Sequence, residues 1–287
     1  MQCYSKGVNQ RQNTIRLFLI FLFIHLLTVQ ATAQPWTDVL SIRYISLPFS
    51  GTASQRLIWF HADLAYGTKR STNTYALNPA YEKLDGGWKN AVYGIALPMV
   101  FSHTWKDTMW QSVFIGIGRL NSDLKSISGD DYQAGFVNIH SKQRNAHFKY
   151  KFGFYCNTEF DKFFMIPLLG AEWKLSDRFL MNALLPSYFI SEYKLFPLKI
   201  HAGMVFRSFT KSFRYEDRSY LSMHENYAAL FADFYFARFV VLNAECGYAF
   251  LRKYKSGIKL HEHKEYELDA GEGLMLRAAL IYRIRKD

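Results

Sequence analysis

Cysteine and proline are scarce in this 287-residue chain, at three and seven residues, and only one long apolar run occurs, Leu17–Val29. That run spans thirteen residues with His25 inside it, short of the roughly 20 that a membrane-crossing helix needs. A retained helical anchor is therefore disfavoured. The prolines and seventeen glycines are scattered, with no Ser/Gly-rich spacer and no charge block long enough to form a tail, which leaves no linker between two domains. Of the three cysteines, Cys3 precedes the apolar run, so it cannot be the lipid-bearing residue of a lipoprotein signal. Cys156 and Cys246 fall on apolar faces of different strands; they permit one bridge without implying it, and two separate buried thiols is the expectation.

What is present at the start has the three parts of a secretory signal: the cations Lys6, Arg11 and Arg16, the apolar stretch, then a small-residue site at Ala31-Thr32-Ala33. The expected organisation is a signal peptide over residues 1–33 and a single domain over 34–287. The formal net charge of +11 contains the three signal cations and no signal acid, leaving +8 on the domain. For an exported protein this basic balance suits anionic lipid headgroups and lipopolysaccharide phosphates better than nucleic acid.

Downstream, apolar residues recur with period two. Gln55–Lys69 places Ile58, Phe60, Ala62, Leu64 and Tyr66 on one face and His61, Asp63 and Gly67 on the other. The same alternation runs through Asn145–Thr158, Pro197–Phe209, Phe239–Leu251 and Gly273–Arg285, the last with Leu274, Leu276, Ala278, Leu280, Tyr282 and Ile284 against Arg277, Ile281 and Arg283. Each segment meets the roughly 9 to 11 residues of a tilted membrane strand. Aromatics make up 17% of the chain, which suits strands and membrane interfaces. Further strands are expected near 39–48, 90–103, 109–121, 133–142, 163–175, 178–195 and 225–237. The pattern thus predicts an all-β, transmembrane antiparallel barrel of about twelve strands, with ten to fourteen admissible.

Short turns are expected at Lys106-Asp107, Ser176-Asp177 and Ala237-Arg238, and long connections near 69–89, 122–132, 211–224 and 253–272. Long and short should alternate around such a barrel, yet here the parity flips once. The suspect is 178–195, overlong and interrupted by Pro186; it reads as two short strands turning at Leu185-Pro186-Ser187 or as one bent strand. A split would place the first strand outside the barrel. The tryptophans lie mostly near strand ends, as an interfacial girdle requires. A soluble sandwich would alternate too, but would bury its apolar faces.

Five strings resemble an uncharacterised outer-membrane β-barrel family of Gram-negative bacteria, defined by a domain of unknown function: Ser128-Gly129-Asp130-Asp131-Tyr132, Lys149–Tyr155, Pro167–Trp173, Leu185-Pro186 and Glu192-Tyr193. The resemblance spans roughly residues 90–210. It implies architecture and outer-membrane location, and no chemistry; the expected partners are lipid and lipopolysaccharide, from the basic charge, and the barrel-assembly machinery, from the closing strand at Gly273–Arg285.

The residues themselves point away from catalysis. In Asn138-Ile139-His140-Ser141 the adjacent His and Ser of a strand face opposite sides, so a hydrolytic triad fails. His261-Glu262-His263 with Glu265 and Glu267 offers metal-ligand atoms without a placed third ligand, and Gly129-Asp130-Asp131 reads as turn chemistry before calcium binding. No cofactor is expected. The lumen-facing charged candidates are Arg119, Lys149, Lys151, Glu172, Lys174, Lys199, Asp233, Glu245 and Arg277, with Arg207, Arg283 and Asp63 on the same wettable faces. Cations outnumber acids there, which favours anionic solutes, although Tyr155, Phe231 and Tyr235 are large enough to fill a narrow tube. Three readings follow: a narrow pore for small anionic solutes, a plugged envelope barrel with binding loops, and, last, a lipid hydrolase. A monomer is expected.

Overall fold

The computed structural model describes residues 36–49, 53–66, 72–86, 90–107, 109–159, 162–197, 199–217, 219–258 and 265–285. The expected signal peptide, Trp88 and the His261-Glu262-His263 string lie outside them.

Fourteen antiparallel strands close on themselves. They are β1 (Trp36–Phe49), β2 (Ala53–Ala62, continued by Leu64–Tyr66), β3 (Asn73–Leu77 and Ala80–Asp85), β4 (Val92–Thr104), β5 (Trp110–Ser122), β6 (Tyr132–Asn145) and β7 (Phe148–Glu159). The second half comprises β8 (Lys162–Lys174), β9 (Phe179–Leu185), β10 (Tyr188–Phe196), β11 (Ile200–Arg214), β12 (Ser219–Ala237), β13 (Val240–Ala249 and Lys253–Ile258) and β14 (Glu265–Leu268 and Gly273–Arg285). Each strand pairs with its neighbours in chain order, and β1 closes the ring on β14 from Trp36↔Arg285 to Ser46↔Leu276. No open edge is left, as a hydrocarbon environment requires.

Fourteen lies within the expected ten to fourteen, and two additions carry the count up from twelve. The segment 178–195 is two strands, β9 and β10, turning at Leu185-Pro186-Ser187, where the Ser187 amide donates to the Leu184 carbonyl at 2.9 Å. The expected connection 69–89 contains β3, broken at Asn78-Pro79 because proline cannot donate to the ladder. With both added, the first strand stays inside the barrel and the parity error disappears. The turns at Lys106-Asp107, Ser176-Asp177 and Ala237-Arg238 then share one end with Trp36 and Arg285, and the connection 123–131 lies at the other. Of the remaining long connections, 211–214 and 219–224 in the first and 253–258 and 265–268 in the second are strand.

The polarity is inverted relative to a soluble domain. Outward side chains are apolar and bare: Ile42 is 52% exposed, Leu169 66% and Leu230 65%. Inward ones are charged and covered: Asp233 and Glu192 are each 1% exposed and Glu245 5%. A contiguous apolar belt around the outside with polar groups inside is the signature of a bilayer-spanning barrel and not of a sandwich. Below the belt, Trp105, Trp110 and Trp173 sit at the short-turn end. The Trp105 indole donates to Ser112 Oγ at 2.9 Å, and the Lys142 ammonium lies 5.0 Å from the Trp110 ring centroid, as interfacial aromatics do.

Beyond the belt at the long-connection end the alternation changes content. On β12 the outward positions are apolar from Ala228 to Phe236 but polar at Ser222, His224 and Asn226, while Leu221, Met223 and Tyr227 turn inward. These join Leu47, Phe49, Leu57, Leu84, Phe213, Tyr254 and Met275 in a buried apolar layer. The β11–β12 hairpin bends over this layer to reach strands nearly half the ring away. Arg214 bridges Ser122 of β5, Asn121 donates to the Ser212 carbonyl at 2.9 Å, and Gln133 donates to the same carbonyl at 3.1 Å. Ion pairs of Lys211 with Glu82 and of Arg214 with Asp130, the latter at 3.0 Å, complete the strap. At its tip burial pushes the Tyr215 hydroxyl up, with Asp123 and Asp217 adding to the effect, so the phenol stays neutral. Among the described residues, this layer and the strap cross one end of the tube.

Candidate functional site

Beneath the apolar layer, at the level of the outer belt, the barrel encloses a cavity of about 520 Å³. Its size falls within the roughly 300–1,000 Å³ of small-molecule sites. Strand alternation places its walls: Arg43 points inward between the outward Ile42 and Tyr44 of β1, as Glu245 does between Ala244 and Cys246 of β13 and Arg277 between Leu276 and Ala278 of β14. Five cations (Arg43, Lys151, Arg207, Arg277, Arg283) and four carboxylates (Asp38, Asp63, Asp233, Glu245) line it.

The charges form connected networks. Glu245 accepts from Arg207 at 2.9 Å and also pairs with Arg277. Arg43 lies 3.1 Å from Asp38, which accepts from Arg283 Nε at 2.6 Å, and Arg283 in turn pairs with Asp233. The Asn243 amide donates to Asp233 at 2.8 Å. Four guanidiniums thus share three carboxylates. Removing such ions from bulk water is costly and is offset only by close partners. The Arg43 guanidinium also stacks 4.2 Å from the Trp59 ring. On the opposite arc Lys151 donates to Asn182 at 2.7 Å and lies 3.4 Å from Glu172.

At the rim near Trp36, Glu192 accepts from Arg285 at 2.7 and 2.9 Å, and His201 Nδ1 lies 3.3 Å away. Arg285 Nε also donates to Tyr235 at 2.6 Å, and the Trp36 ring is 5.1 and 5.2 Å from the guanidiniums of Arg283 and Arg285. This cluster narrows that end.

Among the nine sequence candidates, Lys151, Asp233, Glu245 and Arg277 line the cavity, and Glu172 pairs with Lys151. Lys149 is half-buried opposite Glu172 in the ladder. Arg119 lies between Ala96 and Gln133, away from the cavity. Lys174 sits at the end of β8, 3.6 Å from Asp177 and half exposed. Lys199 is a correction: β11 begins at Ile200, so Lys199 falls in the turn and is exposed. Sequence reasoning passed over Arg43 and Asp38, although one cation between Ile42 and Tyr44 was the available signal. Tyr155 and Tyr235 do not fill the cavity, while Phe231 forms part of its wall.

Of the other sequence candidates, His140 points outward to Ser112 Oγ at 2.8 Å and Ser141 inward. Asp131 accepts from the Ser128 amide at 2.6 Å and Asp130 pairs with Arg214, so both carboxylates serve the turn and the strap. Cys156 and Cys246 are unbridged; contrary to expectation Cys246 is exposed on the outer face. Among the described residues no group of three His, Cys, Asp or Glu is placed to hold a metal.

A family profile described as Domain of unknown function (DUF6268) matches residues 97–264. No curated protein matches the chain significantly in sequence. Among solved structures, the chain is similar to an outer membrane channel from Pseudomonas putida F1, with 7% identity, a TM-score of 0.42, and coverage of 89% of this chain and 100% of that one. It is also similar to the NanC porin, with 8% identity, a TM-score of 0.36, and coverage of 85% and 100%. A third is the translocator domain of the autotransporter NalP from Neisseria meningitidis, with 9% identity, a TM-score of 0.30 and coverage of 98% of each chain.

Proposed function

The chain belongs to the family described as Domain of unknown function (DUF6268), and from the lumen geometry we propose a gated outer-membrane pore for small anionic solutes. A signal peptide over residues 1–33 would direct export, and the finished barrel would sit as a monomer in the outer membrane of a Gram-negative bacterium, inserted by the barrel-assembly machinery. The short turns would then face the periplasm and the β11–β12 hairpin the lipopolysaccharide side. The observation that carries this reading is an arginine-rich cavity at membrane depth beneath a mouth closed by a polar strap. Cationic walls favour anion passage, and a strap held by hydrogen bonds and two ion pairs is easier to displace than a continuous core.

The test is conductance in planar bilayers. Wild-type protein is expected to be nearly silent, whereas the double variant Lys211→Ala/Arg214→Ala, which removes both ion pairs of the strap, should open with chloride favoured over potassium. A double variant as silent as wild type would favour a permanently plugged barrel that acts through its exposed hairpins. The apolar layer supports that second reading, since Leu84, Val92 and Met275 are wholly buried in it. No catalytic role is proposed.

A further inference from the structure

The two sides of the cavity differ in kind. Arg43, Arg207 and Arg277 approach from β1, β11 and β14, with Glu245 among them. Across the ring, β4, β5 and β6 contribute Val100, Val113, Ile115 and Ile139, without a charge. A conduit for small hydrated ions has no use for a hydrocarbon wall, because water lies poorly against it and a free anion gains nothing there.

The charged side also retains unused donors. Arg43 Nε and Arg277 Nε are buried without a hydrogen-bond acceptor among the described residues. Such donors are costly to leave unmet. The Arg207 side chain keeps 28% of its surface open although its partner Glu245 is covered. Around Glu245 guanidiniums outnumber carboxylates two to one, since Arg207 and Arg277 both pair with it, while Arg43 and Arg283 share Asp38 and Asp233.

We propose that the lumen holds an amphipathic monoanion, a medium-chain carboxylate with its head among Arg43, Arg207 and Arg277 and its alkyl chain against Val100, Val113, Ile115 and Ile139. A carboxylate accepts guanidinium donors with matched geometry, while burying an alkyl chain yields about 0.8 kcal/mol per CH₂. The site rests on the proposed lumen of a membrane-spanning barrel but does not require conduction.

The experiment is calorimetric titration of decanoate, 1-decanol and acetate into the full chain in lipid nanodiscs, with empty nanodiscs subtracted. Wild type should show one saturable decanoate site per barrel, and neither the alcohol nor acetate should saturate in the same concentration range. Arg207→Gln, which removes the most open guanidinium, and Ile139→Trp, which fills the apolar side, should each weaken decanoate at least tenfold while retaining the wild-type β-sheet circular dichroism. Decanoate uptake no greater than that of empty nanodiscs would overturn the proposal. So would acetate binding as tightly as decanoate, or unchanged affinity in both variants. Silence in the conductance experiment would count against gating and leave this binding result standing.

Discussion

Arg252 shows how much one side chain can hold at this barrel's rim. It sits where both β13 and β14 are interrupted and pairs with Glu225 at 2.7 Å, with both side chains fully buried. It also donates to the carbonyls of Ala270 at 2.6 Å, Gly271 at 2.9 Å and Pro48. Removing one partner strands the other charge, so Glu225→Ala should destabilise the barrel by about 3–5 kcal/mol, read from denaturant unfolding in detergent micelles. Gly203 makes the opposite demand, for absence. A Cβ there would lie 1.8 Å from the Ser191 carbonyl oxygen and 3.0 Å from the Phe231 ring. Gly203→Ala is expected to cost roughly 1–3 kcal/mol through overpacking, and an unchanged unfolding midpoint would contradict that geometry. At this scale the inward charges on strong alternations, such as Glu245 and Arg277, were legible in the sequence, because each is flanked by outward apolar residues. Lys199 misled because the strand starts at Ile200 and not at the expected Pro197, which leaves Lys199 in the turn and outside the lumen.

Strands were legible to the extent that their outward faces were greasy. On β12 the apolar stripe begins at Ala228, so the sequence reading started the strand only at 225 and took 211–224 for a loop, although the strand runs from Ser219 to Ala237. Beyond the bilayer the buried face becomes the inner one, and the outward side turns polar to meet water. β3 escaped notice for a related reason: Asn78-Pro79 breaks its period, and Tyr75, Leu77 and Tyr81 are its exposed large hydrophobics. Where the stripe is present it should be exacting. Leu230→Arg places a guanidinium on the lipid face and is predicted to cost about 2–4 kcal/mol near the bilayer midplane, measured by reversible unfolding into lipid vesicles. A negligible effect would mean that β12 does not face hydrocarbon.

For the whole molecule, the ring closure and the inverted polarity predict how it sits in a membrane. Trp105 and Trp173, each about half exposed, and Trp110 beside them should be quenched by brominated lipids, whereas Trp59, stacked inside on Arg43, should not. Replacing these first three by Phe should remove most of the quenching; its persistence would place the belt elsewhere. The amino-acid sequence by itself determined that the domain is built of antiparallel strands, each with one oily face and long enough to cross a bilayer, because period-two alternation and strand length are local properties written into consecutive residues. Only the tertiary structure decided that the oily faces point outward, that fourteen strands close the ring, that a hairpin reaches across one mouth, and that arginines face aliphatic residues over a cavity. Those features depend on which distant strands meet, and no local pattern along the chain encodes a distance across the lumen.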